Sequence, residues 1–145
     1  MKYSLRLPFP RLVLALFIAV FLLSVIGRMV SVTGAWAFCA GFPYCVPTEP
    51  LGYLKLAHLL LVGVASVFMA LVWRTAWREY RTHNLLLPLT TITGVLFFWQ
   101  AFVGAIEVTR GYPTHLVVLH TLTAIALWVS LGALVYFSGA LADAR

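Results

Sequence analysis

Four long apolar runs dominate the pattern of hydrophobic and polar positions along the chain. They span residues 12–33, 53–73, 85–107 and 115–139. A helix of about 20 residues crosses a hydrocarbon core about 30 Å thick, and only a helix satisfies its own backbone hydrogen bonds in such a run. We therefore predict an all-α membrane protein with four transmembrane helices, forming a single domain over residues 1–145.

The connections between the runs are short, so neighbouring helices should pack antiparallel as an up-down-up-down four-helix bundle. The segment 34–52 contains no Lys or Arg, whereas basic residues precede the first run and fill the segment 74–84. The positive-inside rule then places both termini and segment 74–84 in the cytoplasm, and the other two connections outside. The basic residues concerned are Lys2, Arg6, Arg11, Arg74, Arg78 and Arg81.

Composition narrows the class of protein. Hydrophobic residues make up 63% of the chain and charged residues only 10%, which is typical of a multi-pass cell-membrane protein surrounded by lipid. The net charge of +6 comes from residues at helix ends, so we predict no nucleic-acid partner. The first apolar run is too long for a signal peptide, so we do not interpret "AWA" at 35–37 as a cleavage site.

The two cysteines, Cys39 and Cys45, both fall in the first outer connection. On an oxidising face two cysteines six positions apart can form a disulfide, and two free thiols are the alternative. A metal site is less favoured, because this connection has no His and only Glu49 to complete a tetrahedron.

Two histidines stand near the starts of the second and fourth helices. His58 lies five residues after Tyr53, and His120 lies five residues after His115, so each imidazole sits roughly 7–8 Å below its helix start. Two imidazoles at matched depth on parallel helices suit axial ligation of a haem iron toward the outer face of the membrane. Either histidine alone could instead form only a hydrogen bond to a neighbouring helix.

A short internal repeat supports that comparison of the two helices. "VSVTG" at 30–34 and "IEVTRG" at 106–111 close the first and third helices, and each precedes a helix with a His near its start. The repeat suggests two related helix hairpins.

Charged residues near the histidines are candidates for the rim of a haem site. Lys55 lies one turn outward from His58 on the same helix face, so its ammonium could either snorkel to the headgroups or pair with a haem propionate. Arg28 and Arg110 are competing candidates for a propionate. Glu107, near the outer end of the third helix, could be solvated, paired with Arg110, or a catalytic residue that handles protons.

Three stretches resemble the haem A synthase family in its compact, single-bundle archaeal form. They are "VTGAWAFCAGFPYC" (32–45), "AHLLLVG" (57–63) and "QAFVGAIEVTRGYPTHLVVLH" (100–120). The family's haem-ligand histidines fall on His58 and His120. Its cysteine pair in a C-x5-C motif falls on Cys39 and Cys45, and its Q-x3-G motif falls on Gln100 and Gly104. The chain departs from the family at Lys55, where E-x-x-H commonly has Glu, and at Leu59, where a basic residue is usual.

The resemblance implies an oxidoreductase of haem biosynthesis that oxidises the C8 methyl of haem O to a formyl group by successive hydroxylations. It implies haem b as cofactor and haem O as substrate, both containing iron. The expected partners are further copies in a homo-oligomer, a haem O synthase and a quinol. The alternatives are a bis-His b-type cytochrome that passes electrons without modifying haem, and a structural subunit of an oxidase.

Overall fold

The computed structural model describes residues 8–40 and 45–143, and within them the chain forms four α-helices long and apolar enough to cross a membrane. They are α1 Phe9–Thr33, α2 Gly52–Glu79, α3 Leu86–Thr109 and α4 Thr114–Asp143. The predicted all-α membrane class with four transmembrane helices is confirmed, and the chain is a multi-pass membrane protein. The cytoplasmic location of the termini stays a prediction, and two of the basic residues behind it, Lys2 and Arg6, lie outside the described residues.

Local chemistry explains where the helices begin and end. α2 continues to Glu79, past the predicted end at residue 73, because the long side chains of Arg74 and Arg78 can carry their charges out to water while the helix goes on. At the start of α3, Nδ1 of His83 accepts the backbone N–H of Leu86 at 3.2 Å and so satisfies one of the unpaired donors of the first turn.

α1 and α3 end in the same way. Gly34 has φ 69° and follows α1, and Gly111 has φ 71° and follows α3. This left-handed conformation ends helices and costs glycine nothing, because glycine has no Cβ. The two sequence repeats therefore mark two equivalent helix ends.

The chain divides into two compact units, which we describe separately. Of the described residues, the disulfide unit comprises 18–40 and 45–67, and the hairpin unit comprises 8–17 and 68–143. The predicted single domain over residues 1–145 stays a prediction.

In the disulfide unit, residues 34–51 connect α1 to α2, and the structure describes 34–40 and 45–51 of them. A 3₁₀ helix, Ala35–Phe38, leads into the strand Cys39–Ala40, which pairs antiparallel with the strand Val46–Pro47. A disulfide joins Cys39 to Cys45 across this hairpin, with the two Cα atoms 5.1 Å apart. Gly52 starts α2 directly under the connection, where a Cβ would collide with the Phe38 carbonyl oxygen.

In the hairpin unit, α3 and α4 pack against each other, joined by the turn at residues 110–113. The buried residues of the two helices include apolar side chains such as Phe97, Val103 and Leu131, together with Thr90 and Thr93. The Thr93 hydroxyl donates to the Leu89 carbonyl within its own helix, which removes the cost of burying it.

Candidate functional site

In the disulfide unit, the imidazole of His58 lies directly on Gly27 of α1. A Cβ added to Gly27 would lie 2.7 Å from Cε1 of His58, 3.1 Å from Nδ1 and 3.9 Å from Nε2. The absence of a side chain at Gly27 therefore lets the ring rest on the α1 backbone. The ring edge that carries Cε1 and Nδ1 faces the glycine, and Nε2 is the nitrogen farther from it.

The hairpin unit repeats this contact with the other histidine. A Cβ added to Gly104 of α3 would lie 2.7 Å from Cε1 of His120, 3.2 Å from Nδ1 and 4.0 Å from Nε2. These distances agree with those at Gly27 and His58 to within 0.1 Å. We call each arrangement a histidine–glycine seat. Its occurrence in both units indicates that the internal repeat extends to the contact between a histidine and a glycine of the preceding helix.

Glu107 adds a carboxylate to the His120 seat. Nδ1 of His120 lies 3.1 Å from Oε2 of Glu107, and the Glu107 side chain is about 10% exposed. The two atoms are within ion-pair distance but form no hydrogen bond, and no other described residue supplies one to Nδ1. The sequence left open whether Glu107 is solvated, paired with Arg110 or proton-handling. The structure places its carboxylate against His120.

A second polar contact fixes α3 to α4 one turn deeper. The Thr123 hydroxyl donates to the side-chain oxygen of Gln100 and also lies 3.0 Å from the carbonyl oxygen of His120. Gln100, Gly104 and Glu107 are spaced i, i+4, i+7, so they share one face of α3. Sequence reasoning missed Thr123, although its i+3 spacing from His120 was a usable signal.

The turn between α3 and α4 holds Glu107 from the other side. The Tyr112 backbone N–H donates to the Glu107 carbonyl at 2.9 Å, and Tyr112 adopts φ 60°, a conformation uncommon outside glycine. Burial and, second, the charge of Glu107 raise the pKa of the Tyr112 phenol to about 12. The phenol is therefore protonated at neutral pH.

The predicted residue Arg110 lines a cleft at the same end of the hairpin unit, together with His115. The cleft has a volume of about 370 Å³, with Ile106, Pro113 and Leu116 as its apolar lining. Within residues 8–40 and 45–143, no carboxylate forms an ion pair with Arg110. The cleft therefore combines an uncompensated cation with an apolar wall.

Two other predicted residues, Lys55 and Arg28, occupy different environments in the disulfide unit. Lys55 is only 6% exposed, and its Nζ donates to the Trp36 carbonyl at 3.4 Å. The 3₁₀ helix covers Lys55 and offers its ammonium an acceptor, while snorkelling to the headgroups and pairing with a haem propionate both stay predictions. Arg28 is exposed.

The seats offer imidazole nitrogens rather than a complete chelate for a bare ion. Among the described residues, no three His, Cys, Asp or Glu side chains come together as a metal site. Haem needs fewer protein ligands than a bare metal ion, because its porphyrin already holds the iron and the protein supplies only the axial ligands. Nδ1 of His120 is buried beside the Glu107 carboxylate, so Nε2 is the nitrogen that would bind a haem iron.

The protein is thus a multi-pass membrane protein in which two histidines each pack on a glycine. Comparison with curated proteins finds similarity to a protoheme IX farnesyltransferase of Haloquadratum walsbyi, 26% identical over 117 residues. The match covers 77% of this chain but 24% of the relative, so the chain spans about a quarter of the length of the curated protein it matches. No protein-family profile matches the chain, and no solved structure does.

This comparison corrects the sequence-based identification. The resemblance to haem A synthases pointed to the wrong enzyme, because the matched relative makes haem O rather than oxidising it to haem A. The predicted oxidation of the C8 methyl is wrong for the same reason, and the comparison does not support the oxidoreductase class. The b-type cytochrome, named as the alternative, gains no support from the comparison either.

Proposed function

We propose that this chain binds haem within the membrane and serves the formation of haem O. The observation that carries the proposal is the pair of histidine–glycine seats, one in each unit, with matching ring distances. The similarity to part of a protoheme IX farnesyltransferase supports haem as the ligand, since the name of that relative gives protohaem as its substrate. In this proposal haem is a substrate that the protein holds while it is prenylated.

The residues of this chain have separate tasks in that proposal. His58 and His120 would each offer Nε2 to haem iron, and the glycines beneath them would fix the ring planes. Arg110 would hold a propionate carboxylate at the cleft, with His115 beside it. The prediction that both histidines bind one iron, toward the outer face, remains a prediction from the sequence, as does a homo-oligomer.

We propose that this chain holds haem and does not transfer the farnesyl group on its own. Magnesium diphosphates are usually bound through one or two carboxylates together with the substrate phosphates. The four acidic residues of this chain occur singly, and Glu107, the one at a seat, faces His120. We infer that a protoheme farnesyltransferase is the partner that carries out the transfer.

Binding of ferric protohaem to the purified chain in lipid nanodiscs tests the proposal. Saturable binding with a shifted, low-spin absorption spectrum is expected, because imidazole nitrogens are strong-field ligands to haem iron. A second arm co-expresses the chain with the Haloquadratum walsbyi farnesyltransferase and measures haem O in the extracted membranes. A chain that leaves the protohaem spectrum unchanged at all concentrations would refute haem binding, and an unchanged haem O yield would refute the role in haem O formation.

Arg110→Gln is expected to weaken protohaem binding by about fivefold, since an exposed ion pair contributes up to about 1 kcal/mol. The measurement is a nanodisc titration with protohaem and, in parallel, with its dimethyl ester, which has no carboxylates. The ester should bind the variant and the unmodified chain equally. Arg78→Gln, which removes the same charge from the end of α2, is the matched control. Equal affinity of Arg110→Gln and the unmodified chain for protohaem would contradict the assignment.

A further inference from the structure

In the hairpin unit, the end of α2 and the residues just after it present basic and aromatic side chains on one face. These side chains follow the spacing i, i+3, i+4 and i+7, which keeps residues on one side of a helix. They belong to Arg74, Trp77, Arg78 and Arg81. All four are exposed, whereas Val72 and Ala76 on the opposite side of α2 are completely buried. We call the four residues the basic–aromatic row, and it faces away from the interior of the unit.

The basic–aromatic row lies at the depth of the lipid headgroups. The apolar run of α2 ends at Trp73, and the helix continues to Glu79. A run of about 20 residues already crosses the hydrocarbon core, so the turns that follow it emerge among the headgroups. Trp77 is 51% exposed, and tryptophan is enriched at this interface. Lipid phosphates are therefore the anions that the row meets first.

The positive charge of the row is not neutralised by the described part of the chain. Within residues 8–40 and 45–143, none of its guanidinium groups forms an ion pair with a carboxylate. Arg81 instead lies over the Trp77 ring, with Cζ 5.3 Å from the ring centroid. The rings of Phe9 and Tyr80 are 4.9 Å apart, so exposed Arg11 near the start of α1 lies at the same end of the unit.

We propose that the basic–aromatic row binds the headgroup of an anionic phospholipid. A guanidinium group is planar and can donate two parallel hydrogen bonds to one phosphate, and Arg74 and Arg78 lie one helical turn apart. An anionic headgroup is favoured over a zwitterionic one, because a zwitterionic headgroup brings its own cation to the row. Glu79, the exposed carboxylate nearby, is two positions from Trp77 and therefore on a different face of α2.

Native mass spectrometry of the whole chain in detergent tests this proposal, with phosphatidylglycerol and phosphatidylcholine of identical acyl chains as probes. The chain should retain phosphatidylglycerol more tightly. Arg74→Gln, Arg78→Gln and Arg81→Gln should each weaken its binding by about fivefold, the usual contribution of one cation near an anionic lipid. Arg28→Gln is the matched control, because Arg28 is exposed on α1 and has no other cation within one turn in sequence. It should change the binding of neither lipid.

A water-soluble competitor, glycerol phosphate, distinguishes a lipid site from a general phosphate site. At equal concentration it should not displace phosphatidylglycerol, because it has no acyl chains to pack beside Trp77. Displacement would overturn the assignment to a lipid. Equal retention of the two lipids would overturn the proposal and favour an acidic protein segment as the occupant, and an equal loss in Arg28→Gln would overturn the choice of this row.

Lipid binding at the row does not depend on haem. Arg78→Gln should therefore lose affinity for phosphatidylglycerol while it binds protohaem like the unmodified chain. A row without lipid preference would leave the proposed function standing, and a chain that binds no haem would leave the row standing.

Discussion

His120→Ala is expected to lose more than about 100-fold in affinity for protohaem, since partners behind a metal ligand already account for 10–100-fold. His58→Ala is expected to lose affinity as well. Both changes remove the imidazole that rests on a glycine, so they delete the ligand atom without adding bulk. The measurement is the same nanodisc titration, followed by absorbance.

A third histidine provides the control for these variants. His83 caps the start of α3 through Nδ1, and in His83→Asn the side-chain oxygen can still accept from the helix N–H groups. His83→Asn should therefore bind protohaem as the unmodified chain does. If both His58→Ala and His120→Ala also bind like the unmodified chain, the ligand assignment is wrong.

Gly104→Ala is expected to weaken haem binding although the helix should tolerate alanine. The added Cβ would lie 2.7 Å from Cε1 of His120, too close for van der Waals contact, so the ring must move away from its seat. Overpacking of this kind costs about 1–3 kcal/mol, which corresponds to about 5- to 150-fold in affinity. Gly27→Ala should act in the same way on His58.

The chain offers a matched glycine in each unit as a control. Gly132 of α4 and Gly63 of α2 have nothing within 4 Å of an added Cβ. Gly132→Ala and Gly63→Ala should bind protohaem normally, and each should raise helix stability by about 0.5–1 kcal/mol. Thermal unfolding measured beside the haem titration separates the two effects. Equal haem affinity of Gly104→Ala and Gly132→Ala would show that the seat does not position the ring.

The pattern of apolar residues was enough to predict four transmembrane helices, because the thickness of the hydrocarbon core constrains helix length directly. Helical rise likewise placed His58 and His120 at equivalent positions. The group that the Glu107 carboxylate contacts could not be predicted in this way, because Arg110, water and His120 were all within reach of its side chain. Only the register of α3 against α4 decides among them. The burial of Lys55 depended in the same way on the connection that covers it.

The comparison with a curated protein overturned the identification, and the structure shows what two of the motifs behind it do. Two motifs that resembled a haem A synthase have structural roles. Gly104 leaves room for the His120 ring, and a disulfide joins the two cysteines across a short hairpin. Such features define a scaffold for helices and histidines, and a scaffold does not specify a reaction. The sequence itself departs from that family at Lys55, where Glu is common, and at Leu59, where a basic residue is usual.

Pulsed electron paramagnetic resonance of the ferric haem complex tests the central claim most directly. The chain is prepared with isotope-labelled histidine in nanodiscs and loaded with protohaem. The account predicts hyperfine coupling between the iron and labelled histidine nitrogens, reduced in His120→Ala and in His58→Ala. A haem complex whose iron shows no coupling to any labelled histidine would contradict it.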